Sequence, residues 1–389
     1  KKLLFATCCI AFLSGSLGAA AQKKSVAKNV LTQTLNGKSW SADNGNGTFT
    51  NPLFYDEFSD PDIIRVGEDY YLAGTTMHSV PGLVVLHSKD LVNWEFSSYC
   101  FDRFDDSDDF NLRNGKEAYG QGIWAPAIRY HNGKFYIFSN INGHGLQVYI
   151  SDSAKGPWTH HKVNGDIYDL SVLFDEDGKI YAVHKYGNVT VTELKPDLSG
   201  PVEGSSKVVI PEGNAMGEGH HVYKINGMYY ILSADYSPMG RMQCARSKSI
   251  WGPYETCVIS ERESYGYAAG WSVGNMGIGR PLPEDGFSFQ NNKPNGLNLG
   301  CATIHQGGIV QAPDGKWWGV SMQDFNAVGR TVCLSPITWV DGWPYFGLEK
   351  NLGRSPRTWF KPNDMVKTPQ APYDRCDDFS GKTFKPVWQ

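Results

Sequence analysis

An aromatic pair that follows a short turn occurs five times along the chain, and each time it opens a β-strand pattern. The five pairs are Tyr70-Tyr71, Phe135-Tyr136, Ile180-Tyr181 (the weakest copy), Tyr229-Tyr230 and Trp317-Trp318. Four of them follow an Asn-Gly or Asp-Gly turn, and the first follows Gly67-Glu68-Asp69. Because such turns join neighbouring antiparallel strands, each copy predicts a β-hairpin.

A second signature, a serine-containing turn followed by tryptophan, comes after three of these hairpins. Its copies are Ser88-Lys89-Asp90 before Trp94, Ser151-Asp152-Ser153 before Trp158, and Ser247-Lys248-Ser249 before Trp251. The hairpins start about 45 to 90 residues apart, and a four-stranded propeller blade needs ~40 residues or more. The sequence therefore predicts an all-β chain that folds as a five-bladed β-propeller.

Ten to twelve residues before each aromatic pair stands a residue that a radial repeat would direct toward one central place. These residues are Asp60, Trp124, Asp169, Glu218 and His305. A turn acid such as Asp60, which precedes a proline, is also ordinary in an Asx turn. The shared offset from the hairpins favours a functional set instead, and three converging carboxylic acids predict acid/base chemistry.

Glycoside cleavage is a reaction that such a set can perform. It needs one acid to protonate the leaving oxygen and one carboxylate that activates water or attacks the anomeric carbon. A third carboxylate can raise the pKa of the acid through its charge. The sequence contains no distances, so inversion and retention of configuration both remain open at this point.

The remaining candidates each have a plain structural interpretation beside the functional one. Trp124 is either a core aromatic or a stacking wall for a sugar ring. His305 is either a core histidine or a residue near the axis that holds water or a hard cation, and a lone histidine is a weak metal signal. Arg330 pairs either with a central carboxylate or substrate hydroxyl, or with a surface acid. Adjacent His220 and His221 point to opposite faces of a strand, so they predict no zinc site.

The N-terminus predicts export. Residues 1–21 have the charged start, apolar stretch and small-residue end of a signal peptide, and the apolar stretch is shorter than the roughly 20 residues of a membrane span. We therefore expect a secreted or periplasmic protein without a membrane span. A net charge of -4, with scattered Lys and Arg, argues against a nucleic-acid partner. The sequence does not indicate an oligomeric state, and cysteines outside the signal are expected to be buried free thiols, although export permits disulfides.

Composition shifts divide the rest of the chain. Residues 22–48 are polar and predict a flexible lead, and residues 49–361 form the predicted propeller. Residues 362–389 begin with a proline-rich linker and end in a strand pattern. We interpret that last segment as the first strand of an incomplete C-terminal β-sandwich.

An ordered set of motifs resembles glycoside hydrolase family 43 from about residue 51 to residue 361. The motifs are Ser59-Asp60-Pro61-Asp62-Ile63, Asp69-Tyr70-Tyr71-Leu72, Pro81-Gly82-Leu83, His87-Ser88-Lys89-Asp90-Leu91-Val92-Asn93-Trp94, Ile123-Trp124-Ala125-Pro126, Glu218-Gly219-His220-His221 and Asp341-Gly342-Trp343-Pro344. The resemblance implies a five-bladed propeller and an inverting mechanism. It also implies Asp60 as general base, Asp169 as pKa modulator and Glu218 as general acid.

The resemblance extends to the binding residues. It implies that Trp124 and Arg330 line the subsite of the terminal sugar, and we assign His221 to substrate binding with them. No cofactor is required, but His305 would lie near an axial cavity that often holds calcium in the family. Where the family commonly has Glu-Gly-Pro-His, this chain has Glu218-Gly219-His220-His221, which retains the acid but alters the loop.

Together these features predict a secreted exo-glycosidase that removes a terminal β-D-xylose or α-L-arabinofuranose from plant cell-wall hemicellulose oligosaccharides. The choice between xylosidase and arabinofuranosidase remains open. Two other functions remain as alternatives: an endo-arabinanase, which needs an open groove, and a carbohydrate-binding propeller without catalysis, since a fold does not fix a function.

Overall fold

The computed structural model describes residues 41–104, 107–165, 167–214, 216–236, 239–260, 304–326, 329–362 and 379–383. The chain divides into two compact units, and one of them, Ser41–Tyr373 with Pro386–Gln389, contains every strand of the described residues. Of the other unit only residues 379–383 are described, and they form no strand. The predicted signal peptide and most of the predicted linker and sandwich strand therefore lie outside the described residues.

The described residues form 24 β-strands, and no stretch among them is a helix that could cross a membrane. The first four blades have four strands each, hydrogen-bonded in chain order. Blade 1 consists of β2 (Asp62–Val66), β3 (Asp69–Ala73), β4 (Gly82–Ser88) and β5 (Trp94–Phe101). Blade 2 consists of β6 (Ala127–His131), β7 (Lys134–Ile141), β8 (Gly145–Ser151) and β9 (Thr159–Lys162). Blade 3 consists of β10 (Ser171–Phe174), β11 (Ile180–His184), β12 (Val189–Leu194) and β13 (Lys207–Ile210).

Blade 4 completes the four-stranded set, blade 5 has six strands, and a two-stranded ribbon joins the ends of the propeller. Blade 4 consists of β14 (Glu218–Ile225), β15 (Met228–Tyr236), β16 (Met239–Ser247) and β17 (Glu255–Val258). Blade 5 consists of β18 (Ile304–His305), β19 (Ile309–Gln311), β20 (Trp317–Asn326), β21 (Gly329–Val340), β22 (Trp343–Leu348) and β23 (Asn351–Leu352). Both β18 and β19 pair with β20. The ribbon pairs β1 (Thr48–Thr50) with β24 (Thr358–Phe360). The predicted all-β, five-bladed propeller is thus confirmed.

The turns explain why the hairpins are visible in the sequence. Asn132-Gly133 and Asn226-Gly227 have positive φ at both residues, which is the backbone of the type I′ hairpin turn. The two Asp-Gly copies lie in longer connections, from Phe174 to Ile180 and from Gln311 to Trp317. All five aromatic pairs stand at or next to the start of a second strand, as predicted.

The hydrophobic core is divided into five layers, one between each pair of neighbouring blades. Blade 1 packs on blade 5 through residues such as Leu72, Trp94 and Val320, and four similar clusters join blades 1 to 2, 2 to 3, 3 to 4 and 4 to 5. Each fully buried Leu, Val or Phe stabilises its layer by about 1.5–3 kcal/mol relative to exposure. Because the layers close on themselves, the first strands of the blades are held side by side around the axis.

The predicted boundary at residue 48 differs from the structure. Residues 41–48, assigned above to the flexible lead, are part of the propeller unit. Ala42 is buried, Asp43 bridges to Phe49, and the Nζ of Lys361 lies 2.6 Å from the Asp43 carboxylate. Residues 41–48 are held in the propeller unit because β1 pairs with β24, more than 300 residues later in the chain. The local composition of the segment does not reveal this pairing. Among the described cysteines, Cys100, Cys244 and Cys333 are buried free thiols, as predicted, whereas Cys257 is a free thiol that is only half-buried.

The side chain of Asn51 fastens the start of the propeller to its last blade. This fully buried residue donates from Nδ2 to the carbonyls of Leu334, at 2.8 Å, and Pro356, at 3.0 Å, and its Oδ1 accepts from the Leu334 amide at 2.9 Å. We expect Asn51→Ala to lower the free energy of unfolding by about 2 kcal/mol or more, because it leaves buried backbone groups without partners.

Urea unfolding of the whole chain measures this effect. Asn44→Ala is the matched control, since Asn44 lies near the same ribbon but is exposed and bonds only to neighbouring threonine side chains among the contacts described. That change should stay within about 0.5 kcal/mol of the parent. Equal effects of the two substitutions would contradict the fastening role of Asn51.

Candidate active site

The three predicted acids lie at the same end of the first strands of their blades. Asp60 precedes β2, Asp169 precedes β10, and Glu218 is the first residue of β14. Around the axis, β2 packs beside β6, β6 beside β10, and β10 beside β14. The carboxyl groups of Glu218 and Asp60 both act electrostatically on Asp169. The structure therefore brings the three acids into one site.

A left-handed backbone residue marks the start of the first strand in every blade. The five residues are Asp60 (φ 52°), Ala125 (φ 35°), Asp169 (φ 55°), Gly219 (φ 66°) and Gln306 (φ 45°). Non-glycine residues adopt positive φ uncommonly, and such residues concentrate at functional sites. The position that corresponds to Asp60 and Asp169 in blade 4 is thus Gly219, and Glu218 lies one residue earlier. An irregular register between Glu218 and His221 accompanies this displacement.

Asp60 is held from two sides. The hydroxyl of Thr75 donates to its Oδ2, and Nη1 of Arg330 lies 3.4 Å from its Oδ1. Thr75 is itself fixed, since its Oγ1 accepts from the amide of Ala125 at 2.9 Å. Asp60 is only 7% exposed. These contacts set the orientation of its carboxyl group.

Asp169 is buried beside the charges of the other two acids. Burial, followed by the negative charges of Glu218 and Asp60, raises its pKa well above the usual value. The amide of Gly219 donates to Oδ2 at 2.7 Å, and Nε2 of Gln306 lies 3.5 Å from Oδ1. Asp169 therefore binds the backbone beside Glu218, and the negative charge of Glu218 acts on its carboxyl group.

Glu218 receives a hydrogen bond from a tyrosine. The hydroxyl of Tyr168 donates to Oε2 of Glu218 at 2.7 Å. Burial, assisted by the charges of Asp169 and Glu218, raises the pKa of Tyr168, so the phenol stays protonated and remains a donor at neutral pH. One oxygen of Glu218 is thereby oriented by a fixed donor.

The three predicted substrate-binding residues, Arg330, Trp124 and His221, lie in different surroundings. Arg330 contacts Asp60 and is within the site. Trp124 is half-buried and directly precedes Ala125, whose amide donates to Thr75, and the Trp124 carbonyl accepts from the Ser139 hydroxyl at 2.9 Å. His221 is buried, with Nδ1 3.0 Å from the Gly219 carbonyl and Nε2 3.2 Å from the Pro61 carbonyl. Its ring links blade 4 to the Pro61 carbonyl next to Asp60, and its role in binding a sugar stays a prediction.

The predicted metal residue cannot be assigned a ligand role from this geometry. His305 forms β18, but its side chain lies outside the described part of the chain. No group of three or more His, Cys, Asp or Glu side chains that could hold a metal occurs among the described residues. Near the axis, Asp62 is occupied by Arg129 and by the Ile128 amide. The axial calcium stays a prediction, and no step below depends on it.

Sequence reasoning missed three residues that contact the acids. Thr75 and Gln306 carry no motif that connects them with Asp60 and Asp169. Tyr168 had a signal, since it directly precedes Asp169. A Cβ at Gly219 would lie 2.4 Å from Cγ of Gln306. The close approach that requires glycine is therefore made by the protein itself.

The sequence model of glycosyl hydrolases family 43 matches residues 49–266, which is more than half of the chain. The chain belongs to this family. The predicted resemblance and the predicted glycoside hydrolase class are thereby confirmed.

Relatives of this family 43 chain carry two activities in their names. A putative beta-xylosidase of Xylanibacter ruminicola is 32% identical, over 88% of this chain and 58% of its own length. A non-reducing end alpha-L-arabinofuranosidase of Bacteroides ovatus is 33% identical, over 81% of this chain and 56% of its own length. A solved structure of an engineered family 43 glycoside hydrolase with endo-xylanase and exo-arabinofuranosidase activity has a TM-score of 0.71 and 27% identity, over 87% of this chain and 61% of that one. The chain thus spans less than two thirds of the length of each.

The departure from the family motif at His220 has a local explanation. His220 is buried, with Nδ1 2.6 Å from the Ser233 hydroxyl and Nε2 2.6 Å from the Lys185 carbonyl. Burial lowers its pKa to about 4, so the neutral ring donates to Lys185 and accepts from Ser233. In this family 43 chain, the side chain that replaces proline anchors the strand behind Glu218.

Proposed function

We propose that the protein is a secreted, exo-acting glycoside hydrolase that removes a terminal β-D-xylose or α-L-arabinofuranose from hemicellulose oligosaccharides with inversion of configuration. The convergence of Asp60, Asp169 and Glu218 carries the proposal. Two carboxyl groups are the minimum for glycoside cleavage, and the third has a contact that ties it to the acid. Family membership fits this chemistry.

In the proposed mechanism Glu218 protonates the glycosidic oxygen as the leaving sugar departs. Asp60 accepts a proton from the water that attacks the anomeric carbon from the opposite side. Thr75 and Arg330 hold the Asp60 carboxyl group in position for that water. Tyr168 holds one oxygen of Glu218, so that the other oxygen can face the substrate.

The sugar class rests on the relatives, whose names include β-xylosidase and α-L-arabinofuranosidase. One pocket can serve both sugars when they present similar hydroxyl patterns. Trp124 would stack on the terminal sugar and Arg330 would bind its hydroxyls. Export through the signal pattern in residues 1–21 would bring the enzyme to extracellular or periplasmic oligosaccharides.

A three-substrate screen tests this function. Purified protein is incubated with nitrophenyl β-D-xyloside, nitrophenyl α-L-arabinofuranoside and linear arabinan. Release of nitrophenol from one or both aryl glycosides, with little cleavage of arabinan, supports the proposal. Rapid shortening of arabinan would indicate an endo-arabinanase, and inactivity on all three would favour a non-catalytic carbohydrate-binding propeller.

Replacement of Asp169 by asparagine tests its electrostatic role. We expect Asp169→Asn to lower the apparent pKa of the basic limb of the kcat/KM profile by about one unit. The reason is that the carboxyl groups of Asp169 and Glu218 interact electrostatically, and removal of the negative charge of Asp169 would make the proton of the acid easier to lose. The pH profile is measured on an aryl glycoside. An unchanged basic limb, with activity lost only through a higher KM, would contradict this role.

A further inference from the structure

Glu57 is a half-buried acid that lies three residues before Asp60 in the chain. Both oxygens of its carboxylate accept hydrogen bonds. Oε2 accepts from the backbone amide of Arg330 at 2.7 Å, and Oε1 accepts from the hydroxyl of Ser59. The carboxylate thus connects the segment that leads into Asp60 with the residue whose guanidinium group contacts Asp60.

The segment of Glu57 binds both polar backbone groups of Arg330. The amide of Arg330 donates to Glu57, and its carbonyl accepts from the amide of Phe58 at 2.9 Å. Phe58 is only 1% exposed, and a Cβ on Gly74 would lie 2.4 Å from its ring, so the ring fills the space beside that glycine. The segment is therefore anchored in the core, and it anchors the backbone of Arg330 in turn.

These contacts occur where the strand ladder of blade 5 is irregular. The register between β20 and β21 shifts at Arg330, between the pair that contains Gly329 and the pair that contains Thr331. A shift of this kind disrupts the ladder locally and re-aims side chains. Contacts from outside the hairpin then help to set the direction in which the Arg330 side chain leaves the strand, and the carboxylate of Glu57 supplies one of them.

The contact between Arg330 and Asp60 is sensitive to small movements. The Arg330 side chain is 36% exposed, and its Nη1 lies 3.4 Å from Oδ1 of Asp60. A charge-assisted hydrogen bond is typically about 2.7–2.9 Å long, so this pair has little reach to spare. A shift of the Arg330 backbone away from Asp60 would therefore separate the two groups.

Ser59 fixes the carboxylate of Glu57 relative to the base candidate. Ser59 is fully buried, its hydroxyl donates to Glu57, and its carbonyl accepts from the amide of Thr75 at 2.9 Å. Thr75 in turn donates its hydroxyl to Asp60. Glu57 consequently holds Arg330 from a place that is itself fixed beside Asp60.

We propose that Glu57 is a positioning residue for the general base. Its carboxylate holds the backbone of Arg330 so that the guanidinium group stays against Asp60 and orients the Asp60 carboxyl group toward the attacking water. Glu57 takes no part in proton transfer and acts only through Arg330. The inference rests on the proposed inverting hydrolase function, because it concerns the base of that reaction.

A double-mutant cycle tests this role, since it separates an effect through Arg330 from a general loss of packing. We expect Glu57→Ala to lower kcat/KM by about tenfold on the nitrophenyl pentoside that the parent cleaves, because the base is less well oriented. In the background of Arg330→Ala, the same change should lower kcat/KM by less than about twofold, because the group that Glu57 positions is already absent. Equal losses in the two backgrounds, or no loss in the parent, would overturn the inference.

Glu57→Gln tests whether the hydrogen bonds carry the effect. Glutamine can accept from the Arg330 amide through its carbonyl oxygen, and the Ser59 hydroxyl can reverse its role and accept from the glutamine NH₂, so kcat/KM should stay within about twofold of the parent. A loss as large as that of Glu57→Ala would overturn the inference. If thermal unfolding shows that Glu57→Ala does not fold, the cycle uses Glu57→Asp, which is one methylene shorter, and the same two outcomes decide.

Glu95→Ala is the matched control. Glu95 is also half-buried, and its Oε1 lies 2.7 Å from Nδ1 of His87 on the outer strand pair of blade 1. This change should leave kcat/KM unaltered in both backgrounds. A parent protein that is inactive on the nitrophenyl pentosides would instead overturn the proposed function, and the inference with it.

Discussion

Replacement of Glu218 by glutamine is expected to lower kcat/KM on a pentose disaccharide by about 10³-fold, but by less than about tenfold on a nitrophenyl glycoside. A sugar alkoxide is a poor leaving group and must be protonated as it departs. Nitrophenolate leaves without that help. The difference between the losses of kcat/KM on the two substrates therefore measures how much protonation by the general acid contributes to catalysis.

The control for this prediction is Glu176→Gln. Glu176 has a side chain that is 85% exposed, and it lies in the connection between β10 and β11, at the other end of β10 from Asp169. The Glu176→Gln variant should have kcat/KM values near those of the parent on both substrates. Equal losses of Glu218→Gln on the two substrates would show that Glu218 does not act as the acid.

Replacement of Asp60 by asparagine is expected to reduce kcat on every substrate, aryl glycosides included, by about 10³-fold or more. Water must be activated whatever the leaving group, and asparagine cannot accept the proton. Asp60 keeps its position through Thr75 and Arg330, so an amide of the same shape should fit. Thermal unfolding checks that the variant is folded.

Asp152→Asn is the control for the base. The Asp152 side chain is 83% exposed and pairs with Lys134 on the edge of blade 2. This change should leave kcat unaltered. Near-normal turnover of Asp60→Asn would mean that another group activates the water.

The repeat was predictable because its signals are local. Asn132-Gly133 and Asn226-Gly227 each fix a hairpin within four residues, and the aromatic pairs follow immediately. Counting back from the hairpins found Asp60, Asp169 and Glu218. The count also found Glu218, although Gly219 is the residue of blade 4 that corresponds to Asp60 and Asp169. The irregular register in β14 accounts for this difference of one residue. Such an irregularity has no sequence signal of its own.

The contacts that orient the site were not predictable from local patterns. His221 reaches the carbonyl of Pro61, 160 residues away, and Gln306 reaches Asp169, 137 residues away. These pairs meet only because five blades close around the axis. The ordering of residues 41–48 has the same origin, since β1 pairs with β24 at the other end of the propeller.

Proton NMR of the first sugar released tests the central claim most directly, because it reports what Asp60 does at the anomeric carbon. The wild-type protein is mixed with the nitrophenyl pentoside that it cleaves, and spectra are recorded before the free sugar mutarotates. If Asp60 activates water and Glu218 protonates the leaving oxygen, the first product has the inverted configuration, α-xylose from a β-xyloside. A first product of retained configuration would contradict this account, because it would require a carboxylate that attacks the sugar directly.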